Sequence, residues 1–154
     1  MTEEKDSTIH YLDRTALERI HAVLSGFATR NGDEPIPSIH LAKTAEIESL
    51  LAAPKHRFFG IEAYPTIEEK AAILFYTINK RQTFLNGNKR MSTLCLLVFL
   101  GINGNTLTVS PDELTEKALW LANTPSLEFP AIKKSLASWI REHLIAMPQE
   151  EYVP

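Results

Sequence analysis

Apolar residues recur along most of this chain at the spacing of helices. Leu17, Ile20, Val23, Leu24 and Phe27 fall three or four positions apart, the repeat that lines up side chains on one face of an α-helix. Thr15-x-x-Glu18 reads as a capping box ahead of them and Asn31-Gly32 as their stop. A loop with Pro35 and Pro37 follows over 32–43, then a short helix over 44–53 led by Ile47, Leu50 and Leu51. Residues 54–65 carry Phe58-Phe59-Gly60-Ile61 and read as a short hairpin or an irregular loop, whose aromatics either grip a ligand or anchor the loop to the core. Thr66-x-x-Glu69 opens a helix with Ile67, Ala71, Leu74 and Ile78 on its buried face, running to about residue 82. After the next helix, Thr106 to Val109 reads as a brief extended piece. Ser110-Pro111-Asp112-Glu113 then combines a capping box with proline at the first helical position, ahead of Leu114, Ala118, Leu119, Trp120 and Leu121. A last helix buries Ile132, Leu136, Trp139, Ile140 and Leu144 and ends before Pro148.

One element departs from this amphipathic pattern. From Met91 to Leu100 the chain is apolar on every side, which is expected of a helix enclosed by the rest of the fold, and Gly101-Ile102-Asn103-Gly104 stops it. The pattern predicts an all-α domain of about five to seven helices around this 90–101 helix. One domain spans 1–154, without internal repeat or linker, and residues 1–12 are expected to be mobile. The stretch feeding the core helix, Gln82 to Arg90, is polar and basic and contains Gly87. Glycine lets backbone approach a ligand closely. The unpaired N–H groups and positive dipole end of a helix favour an anion, and Lys89 and Arg90 add two charges.

Composition narrows the choice of partner. The chain has 154 residues, 44% hydrophobic and 23% charged, with a formal net charge of −3. That balance argues against a general nucleic-acid binder. The charges are nevertheless segregated: between Glu69 and Asp112 there is no acid, while Lys70, Lys80, Arg81, Lys89 and Arg90 fall inside. Such a cluster on an acidic molecule points to a discrete anionic ligand, most sharply at Lys89 and Arg90. For Lys80 and Arg81 an ordinary solvated surface serves equally well. His21 lies beside an apolar stripe and reads as packing. The lone Cys95 excludes an internal disulfide and reads as a small core residue. The apolar run near 94–100 is too short to cross a bilayer, and the polar start lacks a signal peptide's apolar stretch, so a cytoplasmic protein is expected.

Gln82-Thr83-Phe84-Leu85-Asn86-Gly87-Asn88-Lys89-Arg90 resembles the signature of the Fic/Doc family (filamentation induced by cAMP, death on curing), H-x-F-x-D/E-G-N-G/K-R. Tyr64-Pro65-Thr66 with Glu69-Lys70-Ala71-Ala72 before it, and Phe99-Leu100-Gly101-Ile102-Asn103-Gly104 after it, are similar to the family's flanks. The likeness is sharp over about residues 60–107, and Lys89 and the short chain place it nearer the Doc branch. It implies a helical bundle with a β-hairpin flap beside the site, for which residues 56–63 are the candidates. It also implies transfer of AMP or a terminal phosphate from a nucleotide such as ATP to a hydroxyl of a target protein. Gly87 and Asn88 would then form the anion-binding turn with Asn88 near the phosphates, Lys89 and Arg90 would neutralise them, and Phe84 would anchor the loop.

Two positions depart from that signature, and they carry the chemistry. The family's histidine, which takes the proton from the attacking hydroxyl, is Gln82 here; an amide is no general base, a role worth roughly 10²–10⁴-fold in rate. The acid that would hold Mg²⁺ is Asn86, whose carbonyl brings no charge to a hard cation, so metal binding is expected to be weak or absent. Neighbouring sequence offers no replacement acid. The leading expectation is a nucleotide-binding relative with lost or reduced transferase activity. Two alternatives stand beside it. One is an active transferase with rewired chemistry, in which Gln82 orients the hydroxyl or His56 acts as base. The other is a protein-interaction module whose turn is purely structural. Substitutions introduced to disarm a toxic protein would produce the same sequence. The family's inhibitory motif, S/T-x-x-x-E-G/N, has no counterpart, because no Glu precedes Gly or Asn; any inhibition would come from an antitoxin-like partner or self-association.

Overall fold

Side-chain caps set three of the six α-helix starts among the described residues. The computed structural model describes residues 8–148. At the head of α3 (Ile67–Arg81) the Thr66 hydroxyl accepts from the Glu69 N–H at 3.1 Å and donates to the Glu69 carboxylate at 3.1 Å, half of a capping box. Ser110 Oγ likewise accepts from the Glu113 N–H at 3.1 Å ahead of α5 (Pro111–Asn123). For α1 (Arg14–Arg30) the expected Thr15 box is replaced by Asp13, whose Oδ1 accepts from the Ala16 N–H at 2.8 Å, while Glu18 pairs with Arg14 at 3.0 Å. Aspartate caps at least as well as threonine, and Leu12 and Leu17, both buried, flank the cap as a hydrophobic staple does.

The remaining helices are α2 (Thr44–Ala52), α4 (Asn88–Ile102) and α6 (Phe129–His143). Short 3₁₀ turns at Ile39–Leu41, Ala53–Lys55 and Ser126–Glu128 link them. Two two-stranded antiparallel sheets complete the fold: β1 (Arg57–Phe58) with β2 (Ile61–Glu62), and β3 (Asn105–Leu107) with β4 (Leu144–Ala146). The architecture is all-α with a small hairpin, as the sequence pattern indicated. The last helix stops earlier than expected, because Leu144 pairs with Leu107, Ile145 with Thr106 and Ala146 with Asn105.

The centre is a helical hairpin, α3 followed by α4, with α1, α2, α5 and α6 packed around it. Nine residues of α3 are buried against six of α4, so α3 is the more enclosed of the two. Leu94, Leu97 and Val98 of α4 stay partly exposed because that flank of the helix has no neighbour to cover it fully. Cys95 is buried, and burial pushes its thiol up to about 12, consistent with a packing role.

At the end of the hairpin remote from the α3–α4 turn the packing is closed. Residues 8–12 are tied down there: Tyr11 packs on Phe99 with ring centroids 6.3 Å apart, and the His10 main chain exchanges two hydrogen bonds with the Asn103 side chain. The rest of the expected mobile segment, residues 1–7, lies outside the described residues. Lys70, fully buried, ties the β1–β2 hairpin to α3 through Glu62 at 3.2 Å and the Tyr64 carbonyl. Among the described residues no helix is long and apolar enough to cross a membrane.

Candidate anion-binding cleft

The turn between α3 and α4 is built from its own side chains. Gln82 ends α3 in the left-handed conformation, φ 50° and ψ 43°, which reverses the chain. Phe84 is buried, its ring 5.7 Å from that of His21. Asn88 then clips the turn shut: its Oδ1 accepts from the Phe84 N–H at 3.1 Å, and its Nδ2 donates to the Phe84 carbonyl at 2.6 Å. Both ends of that amide are thereby engaged inside the loop. Gly87 caps α4 at φ 81°, where a side chain is strained, and a Cβ there would sit 3.4 Å from Ile36 Cδ1. Its carbonyl accepts from the Met91 N–H at 2.8 Å. With no side-chain cap, the N–H groups of Asn88, Lys89 and Arg90 have no acceptor within the helix.

These groups open onto a cleft of about 690 Å³. Gln82, Asn86, Gly87, Asn88, Lys89 and Arg90 line it, so the structure brings the sequence candidates together there, with Phe84 buried behind them. The facing wall comes from α5 through Thr115, Leu119 and Asn123, and Asn79 and Ala118 are buried at the base. The third wall is the loop after α1, with Asp33, Glu34 and Ile36. A Schellman-type turn sets that loop: the Asp33 N–H reaches the Ala28 carbonyl at 3.0 Å, with Gly32 at φ 69°. Asp33 then stands 3.6 Å from Arg90.

The basic residues divide into two groups. Lys80 donates to the carbonyls of Ala122 (3.4 Å) and Thr124 at the end of α5, and Arg81 donates to Ser49 of α2 at 2.6 Å. Both brace helices against one another, Lys80 from the wall of the cleft itself. Lys89 and Arg90 are exposed on the cleft.

Among the described residues no histidine lines the cleft. His56 stands beside the hairpin, its ring 5.1 Å from that of Phe58. Lys70, which the hairpin grips, is twelve residues before Gln82 on one helix, about 18 Å along its axis. None of residues 57–62 is among those lining the cleft, whereas the loop over 31–43 contributes Asp33, Glu34 and Ile36. His21 is buried behind Phe84; burial lowers its pKa, against a smaller raising effect from its hydrogen bond to the Pro37 carbonyl, and its Nε2 has no partner. Asn86 Oδ1 accepts from the Gly87 N–H at 2.7 Å, and among the described residues no group of three His, Cys, Asp or Glu stands together. Asn86 so engaged offers no charged oxygen to a hard divalent cation.

Asp33, Glu34 and Asn79 are among the cleft residues that sequence reasoning missed. Asp33 and Glu34 follow a helix stop, and nothing local says where that loop returns. Asn79 had a signal: it continues the four-residue spacing of the buried Ala71 and Phe75, and a polar residue on a core stripe is worth explaining.

Comparison with known proteins agrees with the motif. A family model described as the Fic/DOC family matches residues 11–100. A Toxin Doc from Mycolicibacterium smegmatis is 32% identical over 66 residues, 43% of this chain and 51% of that protein. The chain thus spans about half the length of the curated relative it matches.

Proposed function

Since the chain belongs to the Fic/DOC family, we propose that its cleft binds the phosphates of a nucleotide such as ATP and that its transferase activity is lost or strongly reduced. The observation that carries this reading is the asymmetry of the cleft. Its anion half is intact, with the open N–H groups of α4 beside Lys89 and Arg90. Its reactive half has Gln82 and Asn86 where the resemblance calls for a base and an acid. Binding without a requirement for Mg²⁺ follows from Asn86, whose oxygen is engaged by Gly87.

Asp33 and Glu34 favour a second reading. They bring to the cleft the carboxylates that the motif lacks, and in loose phosphoryl transfer positioning and electrostatics outweigh the base. On that reading the protein transfers AMP or phosphate to a target hydroxyl, as a toxin held by an antitoxin-like partner. Calorimetric titration with ATP, with and without Mg²⁺, tests the binding claim; absence of heat with any nucleotide removes both readings and favours an interaction module. Labelled ATP in a cell lysate separates the two: a modified band that needs Lys89 and Arg90 sinks the inactive reading. Combining Gln82→His with Asn86→Asp is expected to produce transfer or growth toxicity, because the rest of the turn is formed.

A further inference from the structure

The apolar turn of the β1–β2 hairpin serves neither the core nor the cleft. Phe58, Phe59 and Ile61 are 59%, 104% and 72% exposed, and none of the three lines the cleft. The turn is also strained. Phe59 and Gly60 both have positive φ, 52° and 78°, as a two-residue connection between antiparallel strands favours. Asparagine or aspartate suits the first of those positions, whereas a bulky aromatic resists it. Because Phe59 is wholly exposed, no contact within the chain offsets that strain.

The hairpin has two unlike faces. Directly opposed residues share a face, and the register pairs Phe58 with Ile61 and Arg57 with Glu62. The Arg57–Glu62 face meets α3, where the buried Lys70 holds Glu62 at 3.2 Å. Phe58 and Ile61 therefore face outward, with Phe59 at the tip. Arg57 Nη1 donates to the Gly60 carbonyl at 3.0 Å, and the Ala63 N–H to the His56 carbonyl at 2.9 Å. The prong is braced before any partner arrives. Its flanks are basic: no acid lies between Glu48 and Glu62, while Lys55 and Arg57 fall inside. Lys133 adds a charge beside Tyr64, its Nζ 5.0 Å from the ring centroid.

We propose that this prong inserts into an anionic lipid surface, with Lys55 and Arg57 against the headgroups. Area and charge select that partner. Two phenylalanines and an isoleucine offer roughly 500 Å². A stable protein interface, a dimer of this chain included, buries about 800 Å² on each partner. Lipid needs no matching surface around the tip: burial of each large apolar side chain drives insertion, and each cation near an anionic surface adds to it. Contact of this kind is peripheral and reversible, and it is independent of what the cleft binds.

Cosedimentation of the full chain with vesicles decides it, using phosphatidylcholine alone and phosphatidylcholine mixed with phosphatidylglycerol. Binding to the mixed vesicles is expected, weakening at high salt, with several-fold weaker binding to the neutral ones. Phe59→Asn is expected to lower partition onto the mixed vesicles about tenfold or more, the loss of one buried aromatic. Its thermal midpoint is expected to match or exceed that of wild type, because asparagine suits the turn, which separates lost binding from lost structure. Absence of binding to the mixed vesicles overturns the proposal. Equal partition onto both vesicle types does so too, as does partition that Phe59→Asn leaves unchanged. Concentration-dependent dimerisation that Phe59→Asn abolishes, without vesicle binding, overturns it in favour of a second copy.

Discussion

The two ends of the α3–α4 hairpin are made of similar residues put to opposite uses. At the closed end Lys70 is 1% exposed and bound by Glu62 and the Tyr64 carbonyl, and the Asn103 side chain bonds the main chain of His10 and Phe99. Polar groups there are satisfied by the fold. At the open end Lys89 is exposed, the first N–H groups of α4 have no acceptor in the helix, and Asn79 keeps an orphaned oxygen. Charge and polarity alone do not mark a site; what marks it is polar groups converging on a cleft with their bonding left open.

Exchanging damage between the two ends gives the largest contrast. Lys70→Ala removes a buried partner, and since Glu62 is partly solvated the cost falls toward the low end for buried ion pairs, about 2–3 kcal/mol of stability. Urea unfolding measures it, and ATP affinity of the folded fraction is expected to be unchanged. Arg90→Ala is expected to do the reverse. Its guanidinium is 54% exposed and paired only across 3.6 Å to Asp33, so stability moves by less than about 0.5 kcal/mol. Loss of a charge-assisted contact lowers phosphate affinity about tenfold to a hundredfold. If Arg90→Ala destabilises and Lys70→Ala weakens binding, the contrast is wrong.

The sequence showed the open end better than the closed one, for a physical reason. The turn from Gln82 to Arg90 is closed by contacts within five residues, such as Asn88 to Phe84, so local pattern suffices. The hydroxyl caps at Thr66 and Ser110 are local in the same way. The misses depend on distant partners. Leu144 leaves its helix because of Leu107, and Asp33 enters the cleft because the α1 loop folds back. Asn88 lines the cleft, and its side-chain amide is engaged in clipping the loop to Phe84.

A smaller effect probes the link between the cleft's two loops. His21 packs on Phe84 and bonds the Pro37 carbonyl, so it joins the motif turn to the loop over 31–43. Burial lowers its pKa below the ordinary 6.5. Below that value the unfolded chain binds more protons than the folded one, so the contribution is present above about pH 6.5 and is lost as pH falls through the lower folded value. Thermal unfolding of wild type is expected to lose more stability between pH 7.5 and pH 5 than His21→Phe, which keeps a ring against Phe84 but does not titrate. Equal slopes place the acid sensitivity elsewhere.

The smallest expected change is a gain. Asp33 faces Arg90 at 3.6 Å with both side chains about half exposed, 42% and 54%. A pair this open contributes at most about 1 kcal/mol, so removing it costs the fold little. The same carboxylate stands in a cleft proposed to take phosphates, where it repels the ligand and occupies the guanidinium that would meet it. Asp33→Asn keeps the shape and the Schellman turn, whose bonds are main-chain, while deleting the charge. Affinity for ATP is expected to rise about two- to fivefold at low salt, within the free energy of one exposed pair. The gain is expected to fade as ionic strength approaches 1 M, where the screening length is about 3 Å. A rise that survives high salt would mean that Asp33 acts by shape, and a fall in affinity would mean that its carboxylate helps to hold the ligand, the outcome that favours the active reading of the cleft.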